Sequence, residues 1–185
     1  MNKIKKLPYG VSDFEYVMRG NYYYVDKTMY IPQIEDQPNY LMFIRPRRFG
    51  KSLLLSMLKT YYDKAKKDQF EELFGSLWIG SHPTELMGRY QVMHLDFSQI
   101  GGTIDELEKK FDEYLCYRLD DFVSKYADDY PEYFLKSFFE CKTYTGKLIQ
   151  ITTIADRLRI PMYLIIDEYD NFTNVVLSEK GEEVD

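Results

Sequence analysis

Short, continuous apolar runs alternate along this chain with stretches in which apolar residues recur at helical spacing. The runs predict strands at residues 40–44, 91–97 and 162–166. Helical spacing predicts helices at residues 27–37, 51–64, 68–77, 103–126 and 132–141, with a further helix that starts at residue 145 or 146. Strands that alternate with helices are typical of an α/β fold with a largely parallel sheet.

The strand predicted at residues 162–166 has the sequence MYLII and lacks polar alternation. A run of this kind predicts a strand that is buried on both faces. Two acidic residues, Asp167 and Glu168, follow it directly. We therefore expect both acids at the carboxyl edge of the sheet, where α/β proteins place their ligand sites.

The first 38 residues differ from the rest of the chain, because tyrosines, prolines and glycines punctuate them. We interpret residues 1–38 as a lead segment packed on the domain and residues 39–185 as the domain core. Within the lead segment, Asp26 precedes Lys27 and suits the N-cap of the helix that follows. The core is expected to be incomplete at its carboxyl end, since only 17 residues follow Glu168.

Composition narrows the class of protein. Of the 185 residues, 45% are hydrophobic and 17% are aromatic, which indicates a globular domain and excludes a disordered or collagen-like chain. The formal net charge of −6 argues against a dedicated DNA-binding domain. No apolar run approaches the roughly 20 residues that span a bilayer, and the two cysteines show no CxxC spacing. These features predict a cytoplasmic protein with reduced thiols and no membrane partner.

The candidate chemistry begins in the loop RPRRFGKS, residues 45–52, which joins the first predicted strand to a helix. The loop matches the phosphate-loop pattern G-x-x-x-x-G-K-[ST], except that Arg45 stands at the first glycine. Gly50 allows a phosphate to approach the backbone, Lys51 reaches the β and γ phosphates, and the Ser52 hydroxyl can ligate Mg²⁺. Taken alone, this degenerate match also fits a Gly-Lys-Ser sequence that merely opens a helix.

A second element, YLIIDEYD at residues 163–170, resembles a Walker B strand. Asp167 can hold the Mg²⁺ shell through water, and Glu168 can orient or deprotonate the attacking water. Taken alone, this segment also fits a buried strand with a solvated acidic end. Together the two motifs predict a P-loop NTPase, a three-layer sandwich with a mostly parallel central sheet. The adjacent glutamate and the lack of an N-K-x-D sequence favour ATP over GTP.

The candidate site residues follow from these motifs, with ATP and Mg²⁺ as the expected cofactors. The catalytic candidates are Glu168 and Lys51, and the metal ligands are Ser52 and Asp167. The nucleotide is expected to contact Arg45, Pro46, Arg47, Arg48, Phe49, Gly50, Lys51, Ser52 and, by stacking on adenine, Tyr9.

Simpler structural roles stay open for some of these residues. Arg47 and Arg48 also fit solvent-exposed loop positions, and Tyr9 is one of 18 tyrosines. Asp96, at the end of the second predicted strand, fits the cap of the following turn better than a role beside the phosphates.

Five segments spread along nearly the whole chain share a further property. They are LPYGVSDF (7–14), YYVDKT (23–28), FIRPRRFGKSLLLSML (43–58), HLDFS (94–98) and YLIIDEYDNF (163–172). Together they resemble the bacterial predicted AAA-ATPase-like family. In that family the phosphate loop itself has arginine at the position of the first glycine of the general pattern. The resemblance implies an ATPase core that usually continues into a C-terminal nuclease-like domain of the PD-(D/E)XK type. A link to nucleic acid is therefore implied by analogy alone.

The expected activity is Mg²⁺-dependent ATP hydrolysis coupled to a conformational change. Turnover is expected to be weak, because no sensor strand, trans-acting arginine or lid can be read after Glu168. Three alternatives stay open: a nucleotide-gated switch or scaffold without significant hydrolysis, an interaction fragment with a vestigial loop, and a small-molecule kinase. An apolar surface that normally faces a missing C-terminal part would also favour self-association.

Overall fold

The computed structural model describes residues 5–44, 46, 49–101 and 104–171. The chain divides into two compact units, Met1–Tyr90 and Gln91–Asp185. The first unit is helical in its described residues, and the second combines helices with a parallel two-stranded sheet. This mixture agrees with the predicted α/β class. No helix in the described ranges combines the length and the apolarity needed to cross a bilayer.

The described part of the first unit contains five α-helices. They are α1 (Phe14–Arg19), α2 (Ile31–Glu35), α3 (Lys51–Tyr62), α4 (Phe70–Phe74) and α5 (Trp78–Ser81). The helix predicted at residues 51–64 is confirmed as α3. The helix predicted at residues 27–37 is a 3-10 turn, Thr28–Tyr30, followed by α2. Pro32 lies in the first turn of α2, where its missing N–H costs no helical hydrogen bond.

Helix α3 packs into the apolar core of the first unit. Met57, Leu58 and Tyr61 of α3 are buried. The Phe14 ring of α1 stacks on Phe74 of α4, with ring centroids 4.8 Å apart. Tyr61 meets the same Phe74 ring edge-on at 5.5 Å. The lead segment and α3 therefore share one aromatic core, which fixes the position of the helix that the phosphate-loop motif begins.

Residues 40–44 form no strand, so the first predicted strand is wrong. Tyr40 is 96% exposed and Ile44 is 76% exposed. A strand requires a neighbouring strand that pairs with it, and the two strands of the described residues, Gln91–Asp96 and Met162–Asp167, pair with each other. The apolar run shows which residues gain by burial, but it does not specify the partner that would bury them.

The second unit is built around two parallel strands. Its elements are β1 (Gln91–Asp96), α6 (Ile104–Lys125), α7 (Glu132–Glu140), α8 (Tyr144–Leu158) and β2 (Met162–Asp167). In the sheet, Gln91 lies opposite Met162 and Asp96 lies opposite Asp167. A helical connection of this length is what a parallel strand pair requires. The strands predicted at residues 91–97 and 162–166, and their parallel pairing, are thereby confirmed.

The two faces of β2 differ in burial. Ile165 is buried, whereas Leu164 and Ile166 on the opposite face are 56% and 44% exposed. The main apolar core of this unit includes Met93 and Leu95 of β1, together with residues of α6, α7 and α8. The expectation that β2 is buried on both faces is therefore wrong, because its apolar sequence does not reveal how many layers of helices cover the sheet.

Candidate functional site

The phosphate-loop motif forms the beginning of α3. Gly50 is the N-cap of α3 and has φ 76° and ψ 22°, a left-handed conformation that favours glycine. The Gly50 carbonyl accepts the first helical hydrogen bond from the Leu54 N–H at 3.0 Å. The first-turn N–H groups of an α-helix are not used by the hydrogen bonds within the helix. Such a helix start favours the binding of an anion.

The motif residues next to Gly50 lie in the first turn of α3 and in the loop before it. Lys51 and Ser52 are the first two residues of α3 and are half-buried. Before them, the Phe49 N–H donates to the Pro46 carbonyl at 3.4 Å, and the Phe49 side chain is 62% exposed. The remaining loop candidates, Arg45, Arg47 and Arg48, lie outside the described residues.

Tyr9 lies in a turn of the lead segment and is 98% exposed. Its N–H donates to the Leu7 carbonyl at 2.9 Å. The ring is therefore accessible to a ligand. Stacking of this ring on adenine stays a prediction.

Gly50→Ala is expected to lower the free energy of unfolding by about 1 kcal/mol, because an alanine in the left-handed region brings its Cβ too close to the backbone. Urea unfolding followed by the fluorescence of Trp78 measures this loss, since Trp78 is the only tryptophan and lies in the same unit. Gly50→Asn is the matched control. Asparagine is larger but tolerates this conformation, so a greater loss for Asn than for Ala would contradict the backbone explanation.

The acidic motif occupies the carboxyl end of the parallel sheet in the second unit. Asp167 ends β2 and is 5% exposed, and its Oδ1 accepts the Glu168 N–H at 2.9 Å. Asp96 lies opposite it at the end of β1. Asp96 Oδ1 accepts the Ser98 N–H at 3.0 Å, which confirms the turn cap expected of this residue. Two carboxylates thus share one sheet edge.

Glu168 has a strained backbone. Its φ is 52°, in the left-handed region that costs a non-glycine residue roughly 1–2 kcal/mol. The Asp167 carboxylate bonds to its N–H, and the Asn171 N–H donates to its carbonyl at 3.0 Å. Strain of this kind concentrates at functional sites, where the surrounding contacts hold it in place. The conformation therefore supports Glu168 as a candidate functional residue.

Asn171 contacts the same sheet edge, and the sequence analysis did not single it out. Its Nδ2 donates to the Phe97 carbonyl at 2.9 Å and to the Ile100 carbonyl at 2.6 Å. These bonds join the loop after β2 to the turn after β1. An asparagine three residues after a strand-ending acid pair was the available signal, because Asn side chains readily bond to loop backbone.

Tyr114 supports the same edge from α6. Its hydroxyl oxygen accepts the Asp96 N–H at 2.7 Å. Burial raises the pKa of Tyr114, although the hydrogen bond with Asp96 and the nearby Arg118 oppose that rise. The phenol is therefore neutral at physiological pH and orients the end of β1.

The predicted metal ligands have the chemistry that Mg²⁺ requires. The Ser52 hydroxyl and the Asp167 carboxylate are hard oxygen donors, and Mg²⁺ usually combines one or two such ligands with water and substrate phosphates. Among the described residues, no group of three or more His, Cys, Asp or Glu side chains could hold a metal ion. Ser52 belongs to the first unit and Asp167 to the second, so their joint role stays a prediction.

Comparison with known proteins gives the family. The family model described as Predicted AAA-ATPase matches residues 8–184. Over 115 residues the chain is 36% identical to an uncharacterized protein in the vnfD 5' region of Azotobacter chroococcum mcd 1. This alignment covers 60% of the chain and 21% of that relative, so the chain spans about a fifth of the curated relative's length. No solved structure matches the chain significantly. Because the family model extends over almost the entire sequence, the chain belongs to the predicted AAA-ATPase family.

Proposed function

We propose that this chain binds ATP and, with Mg²⁺, hydrolyses it to drive a conformational change. Membership of the AAA-ATPase family supports nucleotide binding. The observation that carries the proposal is the left-handed Gly50 at the start of α3, with Lys51 and Ser52 in the first helical turn. The proposal includes a three-layer P-loop sandwich as the core at residues 39–185, with a lead segment at residues 1–38 packed on it.

In this proposal the start of α3 binds the phosphates. The first-turn N–H groups donate to phosphate oxygens, and the helix dipole favours their negative charge. Lys51 contributes an ammonium group whose hydrogen bonds to phosphate are charge-assisted and hence stronger than neutral ones. Gly50 leaves room for the phosphates, because a side chain at this position would project from the helix start.

The acids at the end of β2 perform the chemistry. Mg²⁺, when bound, would neutralise charge on the phosphates. Ser52 Oγ and the Asp167 carboxylate would hold the metal, directly or through water. The oxygen of the attacking water bonds to the terminal phosphorus, and Glu168 accepts a proton from that water. At the same time the bond from the phosphorus to the bridging oxygen breaks. The products are ADP and inorganic phosphate.

Calorimetric titration of Mg·ATP into the parent chain and into Lys51→Ala tests the binding site. We expect saturable binding by the parent and an affinity about 10- to 100-fold lower for the variant, because one hydrogen bond to a charged phosphate is lost. Lys59→Ala is the matched control. It removes the same charge from the last turn of α3 instead of the first, and it is expected to bind Mg·ATP like the parent.

Two outcomes would contradict the binding proposal. A parent chain that releases no heat and gains no thermal stability with Mg·ATP does not bind the nucleotide. Equal losses in Lys51→Ala and Lys59→Ala would show that the effect comes from the net charge of α3 and not from the helix start.

A further inference from the structure

A second lysine lies beside the phosphate-loop glycine. The Nζ atom of Lys27 is 3.9 Å from the position that a Cβ atom would occupy on Gly50. Lys27 belongs to the lead segment, 23 residues before Gly50 in the sequence. Its ammonium group therefore reaches the start of α3 by folding, next to the residue whose backbone forms the helix cap.

The backbone on either side of Lys27 is firmly held. Asp26 Oδ1 accepts both the Thr28 N–H at 2.8 Å and the Thr28 hydroxyl at 2.7 Å. Asp26 Oδ2 accepts the Trp78 N–H at 2.7 Å. The buried Thr28 hydroxyl oxygen in turn accepts the Ile79 N–H at 3.1 Å. The N-cap of the 3-10 turn is Lys27 itself, so the expectation that Asp26 is the N-cap is wrong. The bonds that Asp26 accepts from Thr28 and Trp78 nevertheless fix the point from which Lys27 extends.

The charge of Lys27 is available for a ligand. The side chain is exposed, and within the described residues no carboxylate forms an ion pair with it. The adjacent Asp26 carboxylate has both oxygens engaged by Thr28 and Trp78. A lysine held in this way can meet a ligand anion without first breaking a salt bridge.

The charge distribution along the sequence favours an anionic ligand for this unit. Residues 1–90 contain 14 Lys and Arg residues against 10 Asp and Glu residues, a net charge of +4. Residues 91–185 contain 10 against 20, a net charge of −10. The chain is acidic as a whole, so the excess of basic residues in the first unit is a local property that suits a polyphosphate.

We propose that Lys27 is a second phosphate-binding lysine, which contacts the polyphosphate of the nucleoside triphosphate together with Lys51. This inference rests on the proposed function, because it adds a residue to the same site. A pair of ammonium groups favours a ligand with several phosphate charges over one with a single phosphate. Lys27 would therefore contribute to selectivity for the triphosphate over the monophosphate.

The experiment compares Lys27→Met, Lys27→Arg and Lys5→Met with the parent by calorimetry with Mg·ATP and with AMP. Met keeps most of the length of the side chain and removes the charge, whereas Arg keeps the charge. Lys5 is an exposed lysine of the same lead segment and serves as the matched control. We expect Lys27→Met to lose about 10- to 100-fold in affinity for Mg·ATP, and to lose less for AMP. Lys27→Arg and Lys5→Met should stay within about threefold of the parent.

The melting temperature of each nucleotide-free variant separates ligand contact from a structural role. We expect Lys27→Met to melt like the parent, since an exposed side chain outside a packed cluster contributes little to stability. Equal affinities of Lys27→Met and the parent for Mg·ATP would overturn the inference. It would also be overturned if Lys27→Met and Lys27→Arg both melted earlier and lost affinity for ATP and AMP alike.

The outcome for Lys51→Ala distinguishes this inference from the proposed function. If the parent binds Mg·ATP, Lys51→Ala binds it weakly and Lys27→Met binds it normally, the proposed function stands and only the role of Lys27 fails. If the parent does not bind Mg·ATP, both proposals fail together.

Discussion

Glu168→Gln is expected to bind Mg·ATP within about twofold of the parent and to release phosphate about 100- to 1,000-fold more slowly. Glutamine preserves the size and hydrogen-bonding shape of the side chain but cannot accept the proton of the attacking water. A positioned general base typically contributes 10²- to 10⁴-fold to a rate. Single-turnover release of labelled phosphate measures the effect even where steady-state turnover is weak.

The structure supports Glu168, in preference to the nearby Asp170, as the candidate base. Glu168 is half-buried, follows β2 directly and is held in a left-handed conformation by Asp167 and Asn171. Asp170 is exposed on the same loop. A carboxylate that acts as a base needs a fixed position relative to the water, and the contacts with Asp167 and Asn171 fix the backbone from which the Glu168 side chain extends.

Asp170→Asn is the matched control, because it removes one negative charge two residues away. Its phosphate release should equal that of the parent. Equal rates for Glu168→Gln and the parent would show that another group activates the water. A parent rate no higher than that of Lys51→Ala would instead favour the nucleotide-gated switch, in which ATP binds without significant hydrolysis.

Much of the local structure could be predicted from the sequence. The phosphate-loop motif placed the start of a helix at Lys51, where α3 begins. The apolar runs at residues 91–97 and 162–166 are β1 and β2, and the intervening helices correctly predicted a parallel pair. These predictions succeed because they depend on local signals, namely the spacing of apolar residues and the conformation of a single glycine.

The failed predictions concern partners that are distant in sequence. The run at residues 40–44 has the composition of a strand, but a strand exists only where a neighbour pairs with it. β2 has an apolar sequence, yet Leu164 and Ile166 are exposed on one face. In each case the apolar pattern shows that burial would be favourable. It does not show which distant segment, if any, covers these side chains.

Long-range folding also explains why the sequence does not predict that Lys27 lies beside Gly50. The sequence places Lys27 beside Asp26, and this pair alone indicates a helix cap. Only the structure shows that the ammonium group lies near Gly50. The bonds of Asp26 with Thr28 and Trp78 connect residues as many as 52 positions apart. No local pattern encodes a contact of this range.

Phe14→Ala is expected to lower the free energy of unfolding of the first unit by about 3–5 kcal/mol. The side chain is 0% exposed, stacks on Phe74 and meets the Tyr24 ring edge-on at 5.4 Å. Its removal leaves a cavity among rings that cannot collapse fully. Since domains are typically stable by only about 5–15 kcal/mol, this single change removes a large part of the stability. Urea unfolding followed by Trp78 fluorescence reports it.

Tyr9→Ala is the matched control for Phe14→Ala, because it also removes an aromatic ring from the lead segment. Tyr9 is 98% exposed, so the expected change in unfolding free energy is below about 0.5 kcal/mol. The Phe14 N–H donates to Ser56 Oγ of α3 at 2.9 Å, which links the lead segment to the helix that begins at the phosphate loop. If Phe14→Ala unfolds like the parent, the lead segment is not part of this folding unit. Lys27 would then lose the scaffold that places it beside Gly50.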